Sequence, residues 1–245
     1  MKTIECTIPD ALAIELYRVL NRHRLTLNEL VANALSAYLR PPGHTLFQVS
    51  ASGVPMAGTG QGAVSIHELL RHGDFGLGTF PEPGGEVIVL DGAAYRVRSD
   101  GTAQPVENDF LIPFAAVLPF RPEKTTSITN SCSLRDLQII CDGHRQSTNL
   151  FYAFRVDGLF TAVRTGAMRS IPGHPPPPGA ASRQGACHFQ DLCGTVVGFW
   201  SPDHAAALNV PGYHFYFISE DRTKGGRLLD FTSFQLEFQV DAVPG

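Results

Sequence analysis

The chain has 245 residues, of which 43% are hydrophobic and 17% charged, and its net charge is -4. This composition supplies a sizeable core and excludes a disordered or fibrous chain, and the negative charge argues against a protein that coats nucleic acid with its whole surface. The longest apolar runs, such as Phe114 to Leu118, fall far short of the roughly 20 residues of a membrane helix, and no signal peptide is visible. We therefore expect a cytoplasmic protein with no membrane partner, whose five cysteines are reduced thiols.

The first 41 residues predict a separate strand-helix-helix module. Residues 2–8 alternate between apolar and polar side chains, which is typical of a strand. Asp10 can cap a first helix, and Thr26 with Glu29 three residues later predicts a capping box for a second helix. The apolar side chains of the two helices recur at helical spacing; they are Leu12, Leu16, Val19, Leu20, Val31, Leu35, Tyr38 and Leu39.

This module resembles the ribbon-helix-helix family of dimeric DNA-binding proteins. A module of this size cannot bury its own apolar face, so we predict a homodimer through residues 1–41. DNA as a partner has weaker support, because the outward strand face is Thr3, Glu5 and Thr7, without a cation. The alternative is an N-terminal extension that packs on the main domain.

Residues 44–245 predict a second, β-rich domain, so the whole chain belongs to the α+β class. A helix capped by Ser65 is expected over 65–71, and Asp91-Gly92 predicts a hairpin between 86–90 and 94–98. Asp157-Gly158 is interpreted as a turn between strands 150–156 and 158–164. The other predicted strands are 44–50, 110–120, 195–200, 213–219 and 228–240, with a helix over 134–141.

Several stretches of this domain, taken together, resemble the acetolactate decarboxylase family over about residues 46–231. The stretches span residues 69–80, 85–95 and 149–155, then Asn209-Val210-Pro211-Gly212-Tyr213-His214-Phe215 and Gly225-Gly226-Arg227-Leu228-Leu229-Asp230-Phe231. The resemblance implies two β-rich lobes with a metal in the cleft between them. It also implies a zinc enzyme that converts 2-acetolactate to acetoin and carbon dioxide.

The chain departs from the family pattern at the residues that carry the chemistry. The three positions of the family's zinc-binding histidines hold His214, Tyr216 and Arg227. An arginine guanidinium cannot coordinate a cation, so we predict no bound metal and no cofactor. Thr79 and Glu86 stand at two further catalytic positions of the family. Gly166 takes the place of the family's catalytic arginine, and Arg164 or Arg169 could substitute for it from nearby.

The candidate site is therefore Glu86, Thr79, His214, Tyr216 and Arg227. Arg227 and Tyr216 can bind a carboxylate or an enolate oxygen without metal; the alternative is that Arg227 pairs with Glu86 or Asp230 in an inactive site. Two functions remain open. The first is a binding protein or ribbon-helix-helix regulator that takes a small carboxylate metabolite as its ligand. The second is a metal-free lyase, isomerase or cyclase in which Glu86 is the acid or base.

Overall fold

The structure is a computed structural model that describes residues 7–23, 26–28, 30–31, 34, 44–50, 64–80, 85–166, 186–202 and 211–243. The chain divides into two compact units, Met1–Pro41 and Pro42–Gly245. Among the described residues no helix is long and apolar enough to cross a membrane.

The first unit contains helix α1 (Asp10–His23), which confirms the helix predicted after Pro9. A second helix is described at Leu27, Asn28, Leu30, Val31 and Ala34, and the Leu30 N–H donates to the Thr26 carbonyl at 3.1 Å. The predicted strand over residues 2–8 lies almost wholly outside the described residues. So does Glu29 of the predicted capping box.

The described residues of the second unit form two antiparallel sheets and a two-stranded ribbon. Its strands are β1 (Phe47–Ser50), β2 (Val64–Ser65), β3 (Phe75–Thr79), β4 (Glu86–Leu90), β5 (Ala93–Val97), β6 (Ala103–Pro105), β7 (Leu111–Ile112), β8 (Phe114–Leu118), β9 (Lys124–Ile128), β10 (Phe151–Gly166), β11 (Cys187–Ser201), β12 (Gly212–Ser219) and β13 (Gly225–Val243). Its helices are α2 (Ile66–Leu70) and α3 (Leu134–His144). This architecture confirms the prediction of a mostly β domain.

The six-stranded sheet has the order β1-β8-β3-β4-β5-β6. Strands β4 and β5 form the predicted hairpin around Asp91 and Gly92, whose φ values of 54° and 75° suit a tight hairpin turn. The Ser65 side chain accepts a hydrogen bond from the Glu68 N–H and caps α2, as predicted. Every residue of β4 is buried, which fits a central strand covered on both faces.

The five-stranded sheet is closed over part of its length, because β10 pairs with β11 and β13, and β12 pairs with the same two strands. The closed strands enclose an aromatic core, and α3 packs Leu137 and Cys141 against it. The phenylalanines of this core are Phe154, Phe160, Phe215, Phe217, Phe231 and Phe238.

A further core lies between the two sheets. Leu77, Ile88 and Leu90 come from the six-stranded sheet. They share a cluster with Val197, Phe199, Tyr216 and Ile218 of the five-stranded sheet. Because side chains alternate along a strand, this cluster fixes which residues of β3, β4 and β12 face the opposite sheet.

Two strand predictions were wrong. Asp157-Gly158 is no turn, because β10 runs unbroken from Phe151 to Gly166. A Cβ on Gly158 would lie 2.5 Å from the Gln235 carbonyl oxygen, so the glycine is needed for close contact with β13. The predicted strand 110–120 is two strands, β7 and β8, which are separated at Pro113; proline cannot donate a hydrogen bond to a sheet ladder.

Candidate functional site

Glu86 and Thr79 are brought together by the pairing of β3 with β4. Thr79 is the last residue of β3, Glu86 is the first of β4, and the two are in register. Glu86 shares the face of Ile88 and Leu90 on β4, so its carboxyl group points into the space between the sheets. Its side chain is only 3% exposed, whereas Thr79 is partly exposed. A buried carboxyl group needs partners that offset its desolvation.

Tyr216 supplies one of these partners from the opposite sheet. It is 4% exposed, and its phenol donates a hydrogen bond to the Glu86 carboxylate. Burial raises the pKa of Tyr216 well above its usual range, and the Glu86 charge and hydrogen bond raise it further, while the Arg227 guanidinium acts in the opposite direction. Tyr216 therefore remains a neutral phenol at physiological pH.

Arg227 lies directly across from Tyr216, because the two residues are in register between β12 and β13. Its side chain is partly exposed, and it forms no ion pair with any carboxylate among the residues that the structure describes. The predicted alternative, a pair between Arg227 and Glu86 or Asp230, is not present. Asp230 instead accepts from the backbone N–H groups of Leu134 at 3.4 Å and Phe231 at 2.9 Å.

The other predicted residues border this group. His214 precedes Tyr216 by two residues and shares its strand face, and it is partly exposed. Gly166 is the cross-strand partner of Arg227 on β10. Arg164 is exposed. Its cross-strand partner on β13 is Asp230, whereas the partner of Gly166 is Arg227. Arg169 lies outside the described residues.

The structure thus brings Glu86, Tyr216 and Arg227 into one group, with Thr79 and His214 beside it. Within the described part of the chain, no three His, Cys, Asp or Glu side chains are grouped closely enough to hold a metal ion. Sequence motifs pointed to the members of the group, but the contact between Glu86 and Tyr216 joins residues 130 positions apart in the chain.

A charged network outside this group was missed by the sequence analysis. The Asp91 carboxylate accepts from Arg155 at 2.6 Å and from Arg222 at 3.2 Å. Arg155 also donates to Asp157 at 2.7 Å. These two arginines and Asp157 line a groove of about 630 Å³ that Glu86, Tyr216 and Arg227 do not line. The only sequence signal was the Asp91-Gly92 turn, which predicts a hairpin and says nothing about its partners.

Comparison with known proteins agrees with this architecture. Residues 46–245 match the family model described as alpha-acetolactate decarboxylase. The chain is 37% identical to the alpha-acetolactate decarboxylase of Methanosarcina mazei over 82% of this chain and 70% of that protein. It is 38% identical to that of Bacillus subtilis over 78% of this chain and 75% of that protein.

Solved structures agree as well. The crystal structure of acetolactate decarboxylase from Bacillus subtilis subspecies spizizenii superposes with a TM-score of 0.70 at 36% identity, covering 81% of this chain and 86% of that one. A Staphylococcus aureus protein of unknown function, similar to alpha-acetolactate decarboxylase, gives 0.70 at 30% identity, covering 81% and 85%. The chain therefore belongs to the alpha-acetolactate decarboxylase family.

Proposed function

We propose that this family member binds a small carboxylate, without a metal, in the space between its two sheets. The observation that carries the proposal is the position of Arg227. It is a permanent cation beside the buried Tyr216–Glu86 pair, and it has no ion-pair partner among the described carboxylates. A partly exposed guanidinium beside buried polar groups can donate two hydrogen bonds to a planar anion.

The residues present do not fit the zinc ion that the family resemblance implies. Zinc takes imidazole, thiolate or carboxylate ligands, and a catalytic site keeps three of them. Of the three residues at the family's ligand positions, His214 alone has a side chain that ordinarily binds zinc. Tyr216 could bind only as a phenolate, and burial raises its pKa and keeps the proton on. Arg227 has no lone pair to offer and would repel the ion.

The same three side chains suit an anion. The guanidinium can donate two parallel hydrogen bonds to a carboxylate, and such bonds are stronger than neutral ones. The hydrogen bond from Tyr216 to Glu86 disperses the charge of Glu86, which would otherwise repel the ligand. Thr79 and His214 add polar groups at the border of the group.

Binding is measured by titration calorimetry with acetate, pyruvate and lactate on the full chain. A bidentate contact is worth about 1.5–3 kcal/mol, so Arg227→Ala is expected to weaken binding by about 10- to 100-fold. Arg135→Ala is the matched control, because Arg135 is an exposed arginine on α3. Equal affinities in all three proteins, or no binding of any of these anions by the unaltered chain, would contradict the proposal.

Metal content is the second measurement. The purified chain is expected to hold less than stoichiometric zinc, and Tyr216→His with Arg227→His is expected to raise its zinc affinity by restoring three imidazoles. Elemental analysis with one tightly held zinc per unaltered chain would overturn the metal-free proposal.

A metal-free enzyme is the second candidate, and the burial of Glu86 favours it. A carboxyl group held inside the site beside a bound anion is positioned to exchange a proton with the ligand. Glu86→Gln separates the two candidates. In a binding protein the variant changes affinity alone, whereas in an enzyme ligand binding persists and product formation from a 2-oxo or 2-hydroxy acid is lost.

For the first unit we propose that a second copy of the chain covers α1. None of the described α1 side chains is fully buried, and Leu12 is 55% exposed. Asp10 and Glu15 lie in the first half of the helix, and Arg18 and Arg22 in the second. An antiparallel pair of helices therefore sets each acidic half against the partner's basic half, which favours self-association.

Sedimentation of the full chain measures this association. Arg18→Glu with Arg22→Glu is expected to weaken the dimer, and adding Asp10→Lys with Glu15→Lys is expected to restore it. Arg135→Glu is the charge control. A monomeric unaltered chain, or one mass for all variants, would refute self-association through α1.

The balanced charge of α1 gives no basic face for DNA. We therefore expect no sequence-preferring mobility shift in a DNA-binding assay. A shift that a ligand modulates would instead favour the regulator function.

A further inference from the structure

We infer that Asp91 is a positioning residue of the candidate site, because its ion pairs with two arginines hold β4 at the place where Glu86 meets Tyr216. The two arginines are Arg155 and Arg222. This function goes beyond the proposed binding of a carboxylate, since it holds for any ligand of the site.

Both ends of β4 are bonded to the five-stranded sheet. At the first residue, the Glu86 carboxylate accepts from the Tyr216 phenol. Directly after the last residue, Asp91 accepts from Arg155 with one carboxylate oxygen at 2.6 Å and from Arg222 with the other at 3.2 Å. The distance from Glu86 to Asp91 along an extended strand is about 17 Å. The strand is therefore fastened at two widely separated points.

The two points of attachment belong to one cross-strand row of the five-stranded sheet. Arg155 pairs with Val197, and Val197 pairs with Tyr216. Cross-strand partners share a face, and Val197 and Tyr216 face the six-stranded sheet. Two strand spacings separate Arg155 from Tyr216, which is about 10 Å. Movement of β4 at Arg155 therefore changes its position at Tyr216.

The apolar contacts between the two ends do not fix the angle of β4. They join Ile88 and Leu90 to Val197 and Ile218. Apolar burial has no preferred direction, whereas a rotation of about 5° about the middle of the strand moves each end by about 0.7 Å. That movement lengthens a hydrogen bond from about 2.8 Å to about 3.5 Å, where it is nearly lost. The ion pairs of Asp91 therefore maintain the hydrogen bond between Tyr216 and Glu86.

The backbone of Arg222 points to a function of its side chain. Its φ is 59°, in the left-handed region that glycine adopts without strain. A residue with a Cβ is strained there, and the strain persists only where other contacts hold the residue. The contacts of Arg222 are the ion pair with Asp91 and the ring of Tyr95, which lies 5.8 Å from the guanidinium carbon.

The test is a double-mutant cycle of Tyr216→Phe and Glu86→Gln, measured by urea unfolding of the full chain. The coupling factor is the factor by which one substitution changes the effect of the other on the unfolding constant. It should be about five in the otherwise unaltered chain and should fall below about two with Asp91→Asn. Asparagine suits a hairpin turn before glycine, so this variant should retain the β4–β5 hairpin.

Two further backgrounds separate positioning from stability. Arg222→Gly relieves the strained backbone and removes one ion pair, so the unfolding constant should change less than about fivefold while the coupling factor falls. Asp136→Asn is the control, because the bonds of this carboxylate stay within the capping box of α3. It should lower stability and leave the coupling factor near about five.

A coupling factor that stays near its unaltered value in both Asp91→Asn and Arg222→Gly overturns the inference, even if both variants are less stable. A factor of one in the unaltered chain also overturns it, because there is then no contact to position. Arg222→Gly decides the matter if circular dichroism shows that Asp91→Asn does not fold. The cycle needs no ligand, so failure of the chain to bind any anion overturns the proposed function and leaves the result for Asp91 intact.

Discussion

Removing the Tyr216 hydroxyl is expected to destabilise the fold more than removing the hydroxyl of Tyr213, the other tyrosine on the same strand. Tyr216→Phe deletes a hydrogen bond to a carboxylate that is only 3% exposed. A hydrogen bond to a charged group is worth about 1.5–3 kcal/mol, and the loss is largest where water cannot replace the donor. For a domain of this size each kcal/mol lowers Tm by about 2–4 °C, so the melting temperature should fall by about 3–12 °C.

Tyr213→Phe is the matched control. Its hydroxyl also donates to a carboxylate, that of Asp142 at 2.6 Å, but the Asp142 side chain is 53% exposed. Water can take over that contact, so the loss should stay near 0.5–1 kcal/mol. Urea titrations at pH 7 measure both changes. A loss for Tyr216→Phe no larger than that for Tyr213→Phe would refute the buried contact.

A double-mutant cycle tests the contact itself. Glu86→Gln keeps an acceptor but removes the charge, so Tyr216→Phe in that background should cost only about 0.5–1.5 kcal/mol. The coupling energy between the two positions is expected to be about 1 kcal/mol. A coupling of zero would mean that Tyr216 and Glu86 stabilise the fold independently.

Three further predictions concern stability and reactivity. Gly158→Ala should destabilise the fold by about 1–3 kcal/mol because its Cβ meets a carbonyl oxygen at 2.5 Å, whereas Gly143→Ala in α3 should be neutral or stabilising. A Gly158→Ala variant that is as stable in urea as the unaltered chain would contradict the packing argument. Burial raises the pKa of the Cys132 thiol to about 11. At pH 8 a disulfide reagent should therefore modify the exposed Cys193 and should modify Cys132 only when the chain unfolds. Peptide mapping of the modified protein measures both reactions. The Ser133 hydroxyl and N–H lower the pKa of Asp136. Its carboxylate therefore stabilises the fold at pH values above the usual pKa of about 4, and this stabilisation is lost as the pH falls and the group is protonated. Asp136→Asn should accordingly flatten the decrease of Tm between about pH 5 and 3.

The sequence by itself determined features whose cause is local. The hairpin at Asp91-Gly92 followed from two residues that tolerate positive φ. The Ser65 cap followed from a hydroxyl three residues before the N–H that it accepts. Family membership followed from ordered motifs, which are also local in the chain. The identities of His214, Tyr216 and Arg227 at the positions that the resemblance assigns to metal ligands led to the proposal of a site without metal.

Only the tertiary structure decided features that depend on residues far apart in the chain. Asp157-Gly158 has the local pattern of a turn, yet β13 packs so closely on Gly158 that the strand continues. Likewise, a sequence cannot say whether Arg227 is neutralised by Glu86, because the two residues come from different sheets. In the structure the phenol of Tyr216 is bonded to the Glu86 carboxylate across the two sheets, and Arg227 lies beside Tyr216 on the neighbouring strand. Local patterns report the preferences of the chain, while the partner of a buried charge is decided by packing between elements.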